Sequence, residues 1–329
     1  MLLATKLRAL VTSGFGEIPI TAAGGFGDGA ALVAGRSAYV MRGESEHRML
    51  GPALAWAGRH GATGVHLLVQ DRESAGHLAR RARLFNHPIA VWSINGRDLD
   101  PVTPIGVGGH QPPSPAAVEL SALVTRAGAR VCIEHGVVTG ELLGLEIARV
   151  VQEPSGGGVR IEVGVGAHDR EAFRILHGEM PSEEALRDVV QTVSRYRQAG
   201  AEPHPLGQLV PERWLREKVL SGEVEALAGY QLERAQGTVP RKSVKDVLPA
   251  FAVGTSPEST PTVVAMSVGV DLDLVPLAAD AREQLATGSD LVILVPERDA
   301  HPATRRLAGL LCEPARVMTV SDSWREPPR

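Results

Sequence analysis

The chain has 329 residues, of which 43% are hydrophobic and 22% charged, and its formal net charge is −4. That length accommodates two or three domains with a hydrophobic core, and the negative charge argues against strong nonspecific nucleic-acid binding, which needs a clustered positive surface. No apolar stretch reaches the ~20 residues that cross a bilayer, and no signal-peptide core follows the N-terminus, so we expect a cytoplasmic protein without a membrane partner.

The first predicted unit is a βαβαβ segment over residues 37–94. An apolar run comes before a helix with apolar residues at helical spacing, and a strand over 65–69 precedes an arginine-rich amphipathic helix and a last strand over 89–94. Strands alternating with helices indicate parallel pairing through right-handed crossovers. The glycine-rich segment 24–29 predicts a turn before this unit, with a phosphate-binding loop as the alternative.

The middle of the chain predicts a different, α+β module after a Pro-rich and Gly-rich linker over residues 108–115. A helix from Ser114 to about Arg126 precedes antiparallel strands, and a second helix runs from about Ser182 to Gln198. The expected strands cover residues 130–134, 137–143, 145–151 and 159–165.

Two glutamates fall on the last hairpin of this module, among apolar residues. A turn centred on Ser155 predicts that Ala148 lies opposite Glu162, so that Glu146 and Glu162 share one face, roughly 5–8 Å apart. A change of one residue in the register would place them on opposite faces. An unpaired carboxylate in such surroundings is costly, so each needs a partner, a raised pKa or a metal.

The order of elements over residues 114–200 resembles the restriction-endonuclease-like PD-(D/E)xK nuclease core. The resemblance places Glu146 at the first acid, Glu162 at the second and Glu119 at a helix acid that some members carry. It implies that Glu146 and Glu162 bind Mg²⁺, which activates water and stabilises the pentavalent phosphate.

The sequence departs from that family at two positions. Gly164 stands where the family has its lysine, and Glu146 stands where Asp is usual. Arg160, on the same predicted face, is the candidate to replace the lysine as a catalytic residue, and His168 and Arg170 are alternatives. An inactive nuclease-like scaffold is therefore as compatible with the sequence as an enzyme.

The third region, over residues 263–320, predicts a second βαβαβ unit that is related to the first. When the two units are aligned without a gap, at one constant spacing along the sequence, several similar residues coincide. The predicted secondary structure follows the same order in both units. The matches include Val69 with Val295, Arg80 with Arg306, Ala82 with Ala308, Leu84 with Leu310, Pro88 with Pro314 and Val91 with Val317. We therefore predict an α/β protein with two duplicated, Rossmann-like units.

Three further features have alternative interpretations. In parallel sheets ligands collect at the carboxyl ends of strands, here residues 70–73 and 296–299. Asp271 and Asp273 are expected to cap the following helix, with a divalent cation as the alternative. The basic residues are expected to form a solvated face, with a phosphate or nucleic-acid contact as the alternative. These are Arg213, Arg216, Lys218, Arg241, Lys242 and Lys245. Cys132 and Cys312 are expected to be reduced core thiols.

The predicted domains are residues 1–110, 111–236 and 237–329. Three functions follow: a nuclease-related protein that acts as a metal-dependent phosphodiesterase or an inactive nucleic-acid-binding derivative, a small-ligand-binding protein, or an assembly protein. The sequence leaves enzymatic activity and a homo-oligomer open. Its arginine-rich composition resembles that of actinobacterial proteins, which reflects a GC-rich genome before any function.

Overall fold

The computed structural model describes residues 2–44, 46–109, 112–153, 158–177 and 183–326, and the predicted α/β class is confirmed. Two compact units divide the chain. The first holds Met1–Val107, Val270–Ile293 and Ala300–Val317, and the second holds Gly108–Gly269, Leu294–Asp299 and Met318–Arg329. The three-domain boundaries stay a prediction. Within the described ranges, no helix is both long enough and apolar enough to cross a bilayer.

The N-terminal part of the chain forms a six-stranded mixed sheet. Its elements are α1 (Leu2–Phe15), β1 (Ile20–Phe26), β2 (Gly29–Ala34), β3 (Ser37–Met41), α2 (Leu50–Arg59), β4 (Gly64–Val69), α3 (Arg72–Ala82), β5 (Ile89–Asn95) and β6 (Asp98–Pro101). The strands lie in chain order, with β3, β4 and β5 parallel and the remaining pairs antiparallel. The parallel pairing predicted for this region is therefore confirmed, and β1 and β2 form a hairpin there.

Helix α1 covers one side of this sheet because its apolar residues recur at helical spacing. Leu7, Leu10 and Val11 are buried against Leu32 of β2 and Tyr39 of β3. Each fully buried side chain of this size contributes roughly 1.5–3 kcal/mol, so the helix is an integral part of the core.

The middle of the chain forms a four-stranded antiparallel sheet. Its elements are α4 (Pro115–Arg126), β7 (Arg130–Glu134), β8 (Val137–Leu142), β9 (Leu145–Gln152), β10 (Val159–Val163), α5 (Gly166–His177) and α6 (Glu183–Tyr196). Ser114 caps α4 by accepting the Ala117 N–H, as the Ser-Pro sequence predicts. One sheet face is apolar and buries Ile161 and Val163 with residues of α4 and α6, including Val124 and Leu186. The other face is polar.

The last part of the chain, after a first helix of one turn, follows the same order of elements as α1 to β5. Its elements are α7 (Pro205–Gln208), α8 (Pro211–Leu220), β11 (Gln231–Ala235), β12 (Ala250–Thr255), β13 (Pro261–Met266), α9 (Leu274–Leu285), β14 (Asp290–Pro296), α10 (Pro302–Gly309) and β15 (Arg316–Val320). The strands again lie in chain order, and β11, β12 and β13 are antiparallel. A helix, three strands and two helix–strand pairs thus occur twice.

A short antiparallel bridge joins two segments of the first unit, at Phe85 and Leu311. Its hydrogen bonds run from the Asn86 N–H to the Leu310 carbonyl oxygen and from the Cys312 N–H to the Leu84 carbonyl oxygen, both at 2.8 Å. In the same unit α3 contacts α9, α10 contacts α2, and α2 contacts α9. The bridge and these helices hold together segments that are distant in sequence.

Asp273 does not cap its own helix, so that expectation is wrong. Its Oδ1 accepts the Gly51 N–H of α2 at 3.0 Å, whereas α9 has no side-chain cap. A Cβ at Gly51 would overlap the Leu272 carbonyl oxygen, so the two backbones approach closely where only glycine fits. Complete burial raises the pKa of Asp273 to about 7. Asp271 instead pairs with Arg48 at 2.6 Å.

Arg197 is buried and bound to backbone carbonyl oxygens in the second unit. Its guanidinium donates to the carbonyl oxygens of Leu143, Leu206, Leu209 and Val210. Leu143 and Val210 have φ values of 46° and 47°. This left-handed conformation is unfavourable for residues with a branched, bulky side chain such as leucine and valine. The hydrogen bonds to Arg197 therefore stabilise two strained turns.

The two cysteines are free, but they differ in their surroundings. Cys132 is buried as predicted, and burial raises the pKa of its thiol. Cys312 is exposed, so the prediction of a core thiol is wrong there. The sequence before it is apolar because Leu311 is buried, at the bridge with Phe85. Burial of Leu311 does not extend to the Cys312 side chain.

Candidate functional site

The register of the β9–β10 hairpin differs by one residue from the prediction. Glu162 lies opposite Arg149, not opposite Ala148. The expected turn around Ser155 lies outside the described residues. A shift of one residue exchanges the two faces of a strand. The predicted pairing of Ala148 with Glu162 is therefore wrong.

A β-bulge in β9 returns both glutamates to one face. Ala148 pairs with Gly140 of β8, but the next pair is Glu146 with Glu141, so Ile147 has no opposite residue. Such a bulge reverses the alternation of side chains beyond it. Because the shift in register and the bulge cancel, Glu146 and Glu162 lie together as the sequence suggested, although for a different reason.

Both glutamates are bound by arginines, in a group that we call the open cluster: Glu146, Glu162, Arg149, Arg160 and Arg170. Arg149 binds Glu146 through two hydrogen bonds, at 2.8 and 2.7 Å. Arg170 Nη1 donates to Glu146 at 2.9 Å, and its Nε lies 3.6 Å from Glu162. Arg160 donates to Glu162 at 2.8 Å. The hydrogen bonds to Glu146 raise the pKa of Arg149.

These residues do not fit Mg²⁺. The cation needs carboxylate oxygens that are free to coordinate it, whereas Glu146 and Glu162 accept hydrogen bonds from guanidinium groups. Glu119 lies exposed on α4, which packs on the opposite, apolar face of the sheet. No group of three or more metal-binding side chains converges among the described residues.

Residue 164, where the nuclease-like resemblance leads one to expect a lysine, is a glycine for a structural reason. Gly164 has a φ of 132°, and a Cβ there would lie 2.8 Å from the Asp169 carboxylate. That carboxylate accepts the Val165 N–H at 2.6 Å and holds the chain where it enters α5. A lysine does not fit at this position, and Arg160 pairs with Glu162 instead. Nuclease activity therefore stays a prediction.

A second group of ion pairs, the buried cluster, lies on the same face of the sheet, since Glu141 pairs with Glu146 across β8 and β9. Its members are Glu134, Glu141, Glu217, Arg213, Arg216 and Arg234. Arg213 binds both Glu134 and Glu141, and Arg234 binds Glu217. The side chains of Glu141 and Arg216 are each 1% exposed. The cluster has equal numbers of carboxylates and guanidiniums.

Burial and charge act against each other in this cluster. Burial tends to raise the pKa of Glu134, but Arg213 and Arg216 outweigh it and lower that pKa below its ordinary value. For Glu141 burial is complete, and its pKa is raised despite the same two arginines. Both carboxylates depend on their guanidinium partners to carry a charge in the interior.

The predicted solvated basic face is wrong for four of its six residues and right for Lys242 and Lys245. Arg216 is buried, and Arg213, Lys218 and Arg241 pair with carboxylates. Lys242 and Lys245 are exposed next to Asp246, which accepts the Lys242 N–H. Periodicity placed these arginines on a helix but did not show that glutamates of β7 and β8 face it.

A cleft of about 560 Å³ opens in the second unit at the carboxyl ends of β14 and β15. Glu297, directly after β14, and Ser321, directly after β15, line it. Its other lining residues are Lys218, Glu223, Val224, Glu225, Ala226, Thr319, Val320, Ser323, Trp324 and Glu326. Trp324 contacts Trp214 edge to face, with their ring centroids 5.8 Å apart. Four of the twelve lining residues are glutamates and three carry hydroxyl groups, while the others include Val224, Ala226 and Val320.

Protein-family models, curated proteins and solved structures were compared with the chain, and none of them matches it. Function is therefore inferred from the open cluster, the buried cluster and the cleft. The strand-end rule pointed to residues 296–299, and Glu297 among them lines the cleft. The same rule pointed to residues 70–73, where Asp71 caps α3 by accepting the Ser74 N–H. The buried cluster had no sequence signal, because its members come from four separate elements, β7, β8, α8 and β11.

Proposed function

We propose that the chain is a binding protein built from two copies of one α/β unit, with a small-ligand site at the carboxyl ends of β14 and β15. The repeated order of elements supports the duplication. So does the bridge, because the offset that carries Val69 onto Val295 also carries Phe85 onto Leu311.

An approximate twofold relation between the copies accounts for the contacts in the first unit. The same offset exchanges the two hydrogen bonds of the bridge, from Asn86 and from Cys312. Exchanging α2 with α9 and α3 with α10 turns the contact of α3 with α9 into the contact of α10 with α2. Such reciprocity is the property of an isologous interface, here within one chain.

The contact between the copies is reinforced by an ion-pair triad that breaks the symmetry. Asp280 of α9 is buried and binds Arg80 at 2.8 Å and Arg81 at 3.0 Å. These arginines lower the pKa of Asp280 against the effect of its burial. The repeat offset carries Arg81 onto Leu307, which cannot form the equivalent pair. The two copies have therefore diverged at this contact.

The cleft is the observation that carries the proposal. Open α/β sheets bind ligands outside the carboxyl ends of their strands, and pockets of roughly 300–1,000 Å³ accommodate small molecules. A cleft of about 560 Å³ that is lined by the residues after two such strands meets both conditions.

The charge of the cleft favours a cationic ligand. Glu223, Glu225, Glu297 and Glu326 line it, whereas Lys218, the one lining cation among the described residues, already pairs with Glu223. The hydrogen bonds from Lys218 and Ser221 lower the pKa of Glu223, so it stays ionised at neutral pH. An amine that donates to carboxylates and hydroxyls is the ligand class that this surface complements.

Tryptophan fluorescence tests this proposal, because Trp324 lines the cleft. Spermidine, titrated as the probe into the full chain, should change the emission saturably. The Glu297→Gln and Glu326→Gln variants should each weaken binding by about fivefold, since one partly exposed carboxylate–ammonium contact contributes about 1 kcal/mol.

Glu283→Gln is the matched control, because Glu283 is an exposed glutamate that does not line the cleft. It removes the same charge and should leave the affinity unchanged. An equal loss in all three variants would show nonspecific attraction, and an unchanged emission in wild type would contradict the proposed site.

A further inference from the structure

The open cluster contains more positive than negative charge. Three guanidiniums, those of Arg149, Arg160 and Arg170, surround the carboxylates of Glu146 and Glu162. The second cluster on the same face is balanced, and its Arg213 lies close enough to Arg149 to oppose the raised pKa of that arginine. The surroundings that the sequence marked as a cation site are therefore positive.

Two donors of this cluster have no acceptor among the described residues. The Nε atoms of Arg160 and Arg170 are shielded from solvent, and neither makes a hydrogen bond within the part of the chain that the structure describes. Leaving a buried charged donor unsatisfied is unfavourable, so an additional acceptor oxygen would stabilise both. Glu162 does not supply it, since its Oε2 is 3.6 Å from Arg170 Nε.

From the charge and the two donors, we infer that the open cluster binds a small oxyanion, the phosphate group of a small molecule. A tetrahedral phosphate presents several acceptor oxygens, which suits the planar, multidentate guanidinium. The side chains of Arg160 and Glu162 are 31% and 24% exposed, so solvent reaches them and Glu162 can swing aside. Phosphate would then replace one carboxylate between Arg160 and Arg170.

Titration calorimetry with inorganic phosphate, at low ionic strength in a chloride buffer, tests this inference. Glu162→Gln should bind phosphate about tenfold more tightly than wild type, because it removes the competing negative charge. Arg160→Gln should bind it about tenfold more weakly. The opposite directions of the two effects distinguish an anion site from a general effect of either variant on folding.

Arg187→Gln is the control. Arg187 and Arg126 share Glu183 in an ion-pair group with the same excess of one positive charge, but at an exposed position. If Arg187→Gln weakens phosphate binding as much as Arg160→Gln does, the attraction is nonspecific and the inference fails.

A Mg²⁺ titration completes the experiment. Binding of Mg²⁺ to wild type that is lost in Glu162→Gln would support the metal site and overturn the inference. The absence of phosphate binding in Glu162→Gln would also overturn the inference. Adenosine monophosphate distinguishes the two sources of the group. If it binds more tightly than inorganic phosphate, the ligand is a phosphorylated molecule, and if it does not, the ligand is the free anion. The spermidine assay is independent of this result.

Discussion

The buried cluster and the open cluster share one face of the four-stranded sheet, yet they differ in balance and exposure. The buried cluster pairs three carboxylates with three guanidiniums, and its central residues, Glu141 and Arg216, are 1% exposed. The open cluster pairs two carboxylates with three guanidiniums, and the side chains of Arg149 and Arg160 are 27% and 31% exposed.

This difference separates a structural role from a binding role. In a buried group the cost of removing charges from water is compensated only when every charge has a partner, so balance is required. Near solvent an unbalanced charge is tolerated, because water screens it and a ligand can neutralise it. The chemical composition of the two groups is similar, and position decides what each can do.

The largest effect is expected from Glu141→Gln, which removes one of the two carboxylates that Arg213 and Arg216 share and leaves them Glu134. Breaking a buried pair from one side costs about 3–5 kcal/mol, because the remaining charge is uncompensated. Urea denaturation should show a loss of this size in the free energy of unfolding. A loss below about 1 kcal/mol would mean that the buried cluster contributes no more than surface ion pairs do.

Asp273 sharpens the comparison, because it is as buried as Glu141 but accepts a backbone N–H. Burial raises its pKa from 3.8 to about 7, so between these values the folded protein binds a proton that the unfolded chain does not. The free energy of unfolding should therefore fall as the pH rises from about 4 to 7 and level off above that.

The Asp273→Asn variant keeps an acceptor for Gly51 and cannot ionise. At pH 8 it should be more stable than wild type by about 2–4 kcal/mol, and near pH 4 the advantage should disappear. Thermal unfolding of both proteins across this range measures the difference. An advantage that does not vary with pH would show that the carboxyl group does not titrate on folding.

The smallest effect is expected from Glu162→Gln, the counterpart of Glu141→Gln in the open cluster. We expect a change of at most about 1 kcal/mol in the free energy of unfolding, decreasing further at high salt. Urea denaturation at two salt concentrations checks this. A loss as large as that of Glu141→Gln would place both clusters in the same structural class.

The sequence was sufficient for the elements but not for the registers. Hydrophobic periodicity located the strands and helices of both βαβαβ regions and the four strands of the middle module. It could not reveal the bulge at Ile147, because local sequence does not encode which residue loses its cross-strand partner. The placement of Glu146 and Glu162 on one face was therefore right only because the one-residue shift in register and the unforeseen bulge cancelled.

The candidate sites show the same limit. The rule that ligands collect at strand ends led to Glu297. That rule depends only on the topology of the sheet. The arginines of α8 were expected to be solvated, since their partners Glu134 and Glu141 lie far away in sequence and only tertiary structure brings them together. Charge pairing over such distances leaves no periodic signal.

The carbonyl oxygens bound by Arg197 also bear on the order in which the protein is made. The turn at Leu143 is synthesised well before Arg197 and Val210, and until then its left-handed residue lacks the hydrogen bonds from that guanidinium. On the ribosome, the turn of the β8–β9 hairpin should therefore be less stable until the chain beyond Val210 has emerged. A nascent chain that ends before Arg197 should be more open to proteases at this turn than one that ends after Val210.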